Sequence, residues 1–298
     1  MHVLRTHRLW IGGAATLLAL TALLILLSVR SSGGSQSSQH SVRSAHRATP
    51  RSAVEPKHVK QRAVRRVKSQ RRREPALRPT NDLASLPLAG RRWIPWRDDG
   101  TSVVAGARHV WVRVYARPRG RRPTLLLHNP DRIGSPRMLL VHTQRKHWVR
   151  VYLPNRPDER TGWVHRRAVR LLTNPYRIVV RLHAHRLLLW KGDRVVLRAR
   201  TVVGKPSTPT PAGMYFIVDL LRPPNPDGAY GPYAFNLSAH SRVLRTFAGG
   251  DGVVAIHGTD EPWLIGQSVS HGCIRVRNEV IRRLARVLPL GTPVEIRR

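Results

Sequence analysis

The sequence predicts a mainly β protein, two small β domains behind a non-globular N-terminal segment. Three observations predict it. From about Arg91 onward, tryptophan, valine and leucine recur in short alternating runs broken by proline and glycine, the period of half-buried strands. Only NEVIRRLARVL, residues 278–288, carries a helical period, with Val280, Ile281, Leu284 and Leu288 on one face. The 298-residue chain has a single cysteine, so no intrachain disulfide staples it and burial alone must supply the core.

At the N-terminus, Leu9–Val29 is free of charge and long enough to cross ~30 Å of hydrocarbon as a helix. Arg5 and Arg8 precede it, which favours keeping that end in the cytoplasm. Residues 1–30 therefore read as a membrane anchor, with a cleaved signal peptide as the rival. SVRSSGGS offers only a weak cleavage site. Either way the rest of the chain is expected outside the cytoplasm, at the membrane or in the wall.

Residues 31–88 lack aromatics, hold few large apolar side chains and are strongly basic. They read as a disordered linker whose like charges extend it. The formal net charge of +37 implies attraction to polyanions. For an exported protein these are membrane lipid or an anionic wall polymer, reached through the linker, and not nucleic acid. Arginine-rich codon usage is the competing explanation of the excess.

Residues 89–172 read as the first β domain. HVWVRVYA, TLLLH, RMLLVH, HWVRVYL and GWVHRRAVRLL are the expected strands, the first two forming a hairpin across a basic turn. Residues 147–172, with Gly162-Trp163-Val164 after a Trp-Val strand, resemble the end of a bacterial SH3-like small barrel. Trp148 and Trp163 are expected in its core.

Residues 173–298 form the second. YRIVVRLHAHRLLLWKGDRVVLRAR predicts consecutive strands turning at HAHR and KGDR, with Gly192 free to take positive φ. The proline-punctuated KPSTPTPAGMYFIVD leads into another strand. LRPPNPDGAYGPYAFNLSA reads as a long surface loop. Asn278 is expected to cap the one helix, and TPVEIRR to close the domain as a final strand.

The chemistry centres on Cys273 in SVSHGCIRVRN, sixteen positions after His257 in AIHGT. Three readings are open. A free cysteine is often a buried small hydrophobe, though the preceding serine and glycine suggest a turn rather than a strand interior. His257, His271 and Cys273 are suitable zinc ligand types, but one cysteine without a CxxC partner is thin for a structural site. The third reading makes Cys273 a nucleophile activated by histidine, with a neighbouring imidazolium lowering the thiol pKa below ~8.5.

IHGTDEPWLIGQSVSHGCIRVRN resembles the signature of the YkuD-type L,D-transpeptidases: His257-Gly258, a spacer, then Ser270-His271-Gly272-Cys273, Ile274, Arg275 and Asn278. TPTPAGMYFI (208–217) resembles the family's strand entry and LGTPVEI (290–296) its last strand. The resemblance implies a β-sandwich catalytic domain with a short helix after the catalytic loop. It implies Cys273 as acylated nucleophile and His257 as base and acid, oriented by the Gly258 carbonyl. His271 would be a second active-site histidine, and the amides around Gly272 and Cys273 an oxyanion hole. Tyr230, Gly231, Ser270, Arg275 and Asn278 would contact substrate or shape its channel, Arg275 either stabilising charge or anchoring the loop. The PWLIGQ insert would form part of a lid. The implied substrate is the peptidoglycan stem peptide, with no metal and no cofactor. The implied reaction is a 3→3 cross-link with release of D-alanine. Water or a protein could be the acceptor instead, and a wall-binding protein without catalysis is the competing class.

Overall fold

A computed structural model describes residues 79–81, 85–86 and 94–298 except Ala248. The expected anchor and most of the expected linker lie outside the described residues. Among the described residues no helix is long and apolar enough to cross a membrane.

The first sheet is built from β1 (Ser102–Ala107), β4 (Met138–Gln144), β5 (Trp148–Tyr152), β6 (Thr161–His165) and β7 (Val169–Asn174), in the order β6-β5-β4-β1-β7. The expected hairpin is β2 (Trp111–Val114) with β3 (Leu125–His128), antiparallel, Trp111 facing His128. Paired amides of Tyr115 and Trp163, 2.8 Å each way, fasten it to β6. Period-two burial follows the sequence: Val112 and Val114 point inward while Trp111 and Arg113 point out. Trp148 and Trp163 are buried against Tyr115, as expected. Ordered packing begins earlier than residue 89. Leu86 is buried among Val114, Val151 and Leu153, and the amides of Thr80 and Asn81 bond to the Pro123 and Thr124 carbonyls. One leucine was invisible as a core residue within a polar, basic composition.

The second sheet has eight strands in the order β10-β9-β8-β17-β12-β13-β14-β16. These are β8 (Tyr176–Arg181), β9 (Arg186–Lys191), β10 (Arg194–Arg200), β12 (Gly213–Leu221), β13 (Ala234–His240), β14 (Val253–His257), β16 (Ile274–Arg275) and β17 (Pro293–Arg297). Two-strand ladders of β11 (Val203–Gly204) and β15 (Ser268–Ser270) lie beside it. The turns fall at HAHR and KGDR, and Gly192 has φ +58°. The sheet curls: residues from both ends, such as Ile178, Leu189, Ile256 and Ile274, share one core with Ile281 and Leu284 of helix α1 (Asn278–Val287). The final strand lies in the middle of the sheet, parallel to β8 and antiparallel to β12.

Three expectations change: GWVHRRAVRLL is not one strand but breaks at a 3-10 turn, Arg166–Ala168, into β6 and β7 at opposite edges of the first sheet. The proline and glycine of LRPPNPDGAYGPYAFNLSA are confined to its first part, and AFNLSAH is β13, an almost wholly buried strand. Arg277, not Asn278, is the N-cap residue of α1, and no side chain caps it. Asn278 is the first helical residue, and its amide oxygen is taken by the Thr259 amide at 2.9 Å.

Strand β12 serves both sheets. Tyr215 and Ile217 enter the second core while Phe216 between them enters the first. Alternation along one strand therefore joins the two hydrophobic clusters.

Candidate active site

The site forms where β14 and β16 run side by side. They are parallel, with His257 opposite Arg275, so the sixteen residues from 258 to 273 must cross over between them. That crossover carries the PWLIGQ insert, including a 3-10 turn at Pro262–Leu264, then β15 and the Ser-His-Gly-Cys turn.

The turn is held from within and from outside. Ser270 Oγ donates to the Cys273 carbonyl at 2.6 Å and accepts from the Gly272 amide at 3.1 Å. Gly272 has φ +117°, a conformation that favours glycine. The Thr210 hydroxyl donates to the Gly272 carbonyl at 2.9 Å, and the Thr208 hydroxyl to the Ser270 carbonyl at 3.1 Å. Both threonines are buried. Cys273 is thereby placed half-buried at the end of a rigid turn.

His257 is buried, and its Nδ1 lies 2.7 Å from the Gly258 carbonyl oxygen. A carbonyl only accepts, so Nδ1 carries the hydrogen and Nε2 keeps its lone pair. Gly258 is needed there for space. A Cβ would collide with Asn278 Oδ1 and stand 3.0 Å from the Gly231 Cα. The Tyr230 ring lies 4.9 Å from the His257 ring, so the proline-rich loop does reach the site.

Burial governs the protonation states. It lowers the His257 pKa to about 4, helped by the Arg275 charge and opposed by the Gly258 carbonyl. It raises the Cys273 pKa above the usual thiol value, opposed by the Ala255 backbone and Arg275. The same thiol, when ionised, raises the Tyr230 pKa, burial being the larger cause. Both shifts favour the uncharged forms, thiol and neutral imidazole. Burial thus works against the ion pair that an imidazolium-activated thiolate requires.

Arg275 is anchored. Its Nη1 meets Glu261 Oε2 at 2.7 Å, and its backbone bonds Val202 in both directions, tying β16 to the insert. His271 is exposed, and its ring lies against Phe247 at 5.4 Å and 30°. Ser270 is only 1% exposed and its hydroxyl serves the turn, so it sets loop shape where substrate contact was expected. Asn278 likewise supports the Gly258–Thr259 backbone. The Gly272 amide is committed to Ser270, whereas among the described residues the Cys273 amide has no hydrogen-bond partner. No three His, Cys, Asp or Glu side chains converge as a metal site among the described residues.

Sequence reasoning missed Thr208, Thr210, Phe247 and the Arg275–Glu261 pair. It also missed a contact set from the first sheet. Arg156 donates to the Leu244 and Asp251 carbonyls at 3.0 and 2.8 Å, and Asp158 accepts from the amide and Nδ1 of buried His240. Only the alternating threonines of STPTP offered a signal, as two hydroxyls held in register beside the turn.

The family model YkuD, the L,D-transpeptidase catalytic domain, matches residues 175–296. A putative L,D-transpeptidase YkuD of Bacillus licheniformis is 41% identical over 124 residues, 42% of this chain and 67% of that protein. Its Bacillus subtilis counterpart is 38% identical over 126 residues, 42% and 68% respectively. Among solved structures, the catalytic domain of an Enterococcus faecium L,D-transpeptidase is 25% identical, with a TM-score of 0.30. The alignment covers 41% of this chain and 95% of that one.

Proposed function

Because the chain belongs to the YkuD family of L,D-transpeptidase catalytic domains, we propose that it is a cysteine-dependent L,D-transpeptidase acting on peptidoglycan stem peptides. The observation that carries this reading is His257. Its Nδ1 is fixed on the Gly258 carbonyl and its ring is held neutral, in an electrostatic neighbourhood shared with Cys273 through Arg275.

In the proposed reaction the Cys273 sulfur attacks the carbonyl of the third stem residue while its proton passes to His257 Nε2. The oxyanion is received by the free Cys273 amide, a stabilisation commonly worth several kcal/mol. The C–N bond to the terminal D-alanine breaks, and His257 returns the proton to the departing amine, leaving a thioester. The side-chain amine of a second stem then attacks, giving a 3→3 cross-link and restoring the thiol. With water as acceptor the same steps give a carboxypeptidase, and with a protein amine a stem-to-protein transferase. Tyr230 and Gly231 would line the donor channel, His271 and Phe247 its mouth, and the 262–267 insert a lid.

The proposed organisation keeps residues 1–30 as anchor or signal, 31–88 as a basic linker whose last residues, Thr80, Asn81 and Leu86, pack on the first sheet, 89–172 as an SH3-like domain and 173–298 as the catalytic domain. Catalysis then takes place outside the cytoplasm, with the linker attracted to lipid or anionic wall polymer. Intact-mass measurement with a tetrapeptide muropeptide, and separately with a carbapenem, tests the chemistry. The expected result is one adduct on Cys273, absent in Cys273→Ser and Cys273→Ala, with His257→Ala slower by ~10²–10⁴. A folded wild-type chain that forms no adduct would favour a non-catalytic wall-binding protein.

A further inference from the structure

The first sheet carries a groove that the acyl-transfer chemistry does not use. It is a hollow of about 670 Å3 lined by Trp111, Arg113, Tyr115, His165 and Arg167 among others. A neighbouring hollow of about 450 Å3 shares His165 and Arg167 and adds Lys146, His147 and Arg166. No carboxylate lines either one. Among the described residues none of these arginines, nor Lys146, forms an ion pair.

A chain of net charge +37 has basic surface everywhere, so arginine count alone carries nothing. The shape and the floor distinguish this place. His165 lies on Trp148 at 3.9 Å and 31°, and Tyr115 stands edge-on to both. These rings are pinned by the buried Tyr115–Trp148–Trp163 cluster. Trp111, 52% exposed, stands at the lip. Rigid aromatic faces accept the C–H surfaces of sugars or polyols, and guanidinium forks accept phosphate oxygens in pairs. Two hollows in series suit a repeating ligand better than a single ion, and a concave surface suits a chain better than a flat bilayer.

We infer that this double groove binds a linear phosphodiester polymer of sugar or polyol units, two or more repeats at a time. The inference does not depend on the acyl-transfer reading. Phosphates would sit between Arg113 and Arg167 and onward to Arg166 and Lys146, with the intervening units against Trp111 and Tyr115. His165 supplies a reporter. Burial lowers its pKa first, and the Arg167 and Arg113 charges lower it further. His109 and His147 are the other titratable groups at the rim, beside Lys146 and Arg166. A bound phosphate cancels the arginine field, so it must move the His165 pKa upward.

The test is histidine-resolved NMR titration of the full chain with and without poly(glycerol phosphate) at 0.15 M salt. The expected result is an upward shift of the His165 titration that is confined to the histidines of the groove. Arg113→Gln with Arg167→Gln, both exposed positions, should lower affinity about tenfold or more and abolish the polymer-induced shift. Unchanged near-ultraviolet dichroism of the aromatic cluster would show that the variant folds. An unmoved His165 despite binding would assign the polymer to the linker and overturn the inference. So would equal binding by the double variant, or an equal shift with phosphatidylglycerol vesicles or with a polyuronate carrying carboxylates alone.

Discussion

Phe247 lies ring to ring on His271, 5.4 Å between centroids, and the loop that carries Phe247 is held by Arg156 of the first sheet. The surroundings of His271 are thus shaped partly by residues about a hundred positions upstream. Arg156→Ala removes three hydrogen bonds to the Leu244 and Asp251 carbonyls. It should destabilise the protein by about 1–3 kcal/mol, and the upfield ring-current shift of the His271 side chain should diminish. An unchanged melting temperature together with an unchanged His271 spectrum would mean that the loop keeps its place without Arg156.

The acid limb of the acylation rate should lie near pH 4. His257 acts as base only when neutral, and burial holds its pKa at about 4. The rate should therefore stay level from pH 7 to about pH 5 and drop below that. An acid limb near 6.5 would show that the imidazole titrates as if in water. The same depression makes a stability statement. The folded value lies below the unfolded ~6.5, so this contribution is fully present above pH 6.5 and is lost as pH falls through about 4.

Asp219 works in the opposite direction. Burial, with Asp131 as a second cause, raises its pKa to about 6. Its contribution is fully present below the unfolded value of 3.8 and is lost as pH rises through about 6. Asp219→Asn should match the wild type near pH 4 and exceed it by roughly 2–3 kcal/mol at pH 8. Denaturant unfolding at both values measures the difference. A variant less stable than wild type at pH 8 would mean that the ionised carboxylate is net favourable beside Arg137.

Gly258→Ala should uncouple the base from its orienting carbonyl. The new methyl would collide with Asn278 Oδ1 and stand 3.0 Å from the Gly231 Cα, so the Asn278 side chain or the backbone must move aside. About 1–3 kcal/mol of stability should be lost, and acylation should fall more than muropeptide affinity. Asn278→Ala added to Gly258→Ala relieves the collision and should restore part of the stability. Stopped-flow acylation and thermal unfolding of the two variants separate these effects, and a Gly258→Ala protein acylating at the wild-type rate would refute the steric argument.

The sequence by itself determined many of the strands, the β2–β3 hairpin, the helix α1 and the nearness in sequence of His257-Gly258 to the Ser-His-Gly-Cys turn. These are local patterns: period-two burial, turn glycines and residues adjacent in the chain. Only the tertiary structure decided how far His257 and Cys273 are desolvated, because that depends on what packs over them. It likewise moved Asn278 from a helix cap to the Thr259 amide, and made a buried strand of Ala234–His240 from the end of a proline-rich stretch. It set Leu86 in the first core and Phe216 at the join between the cores. It also brought Arg156 and Asp158 against the 240–252 segment. Such contacts link residues up to about a hundred positions apart and leave no periodicity in the chain, since what selects them is complementary surface and charge rather than sequence neighbours.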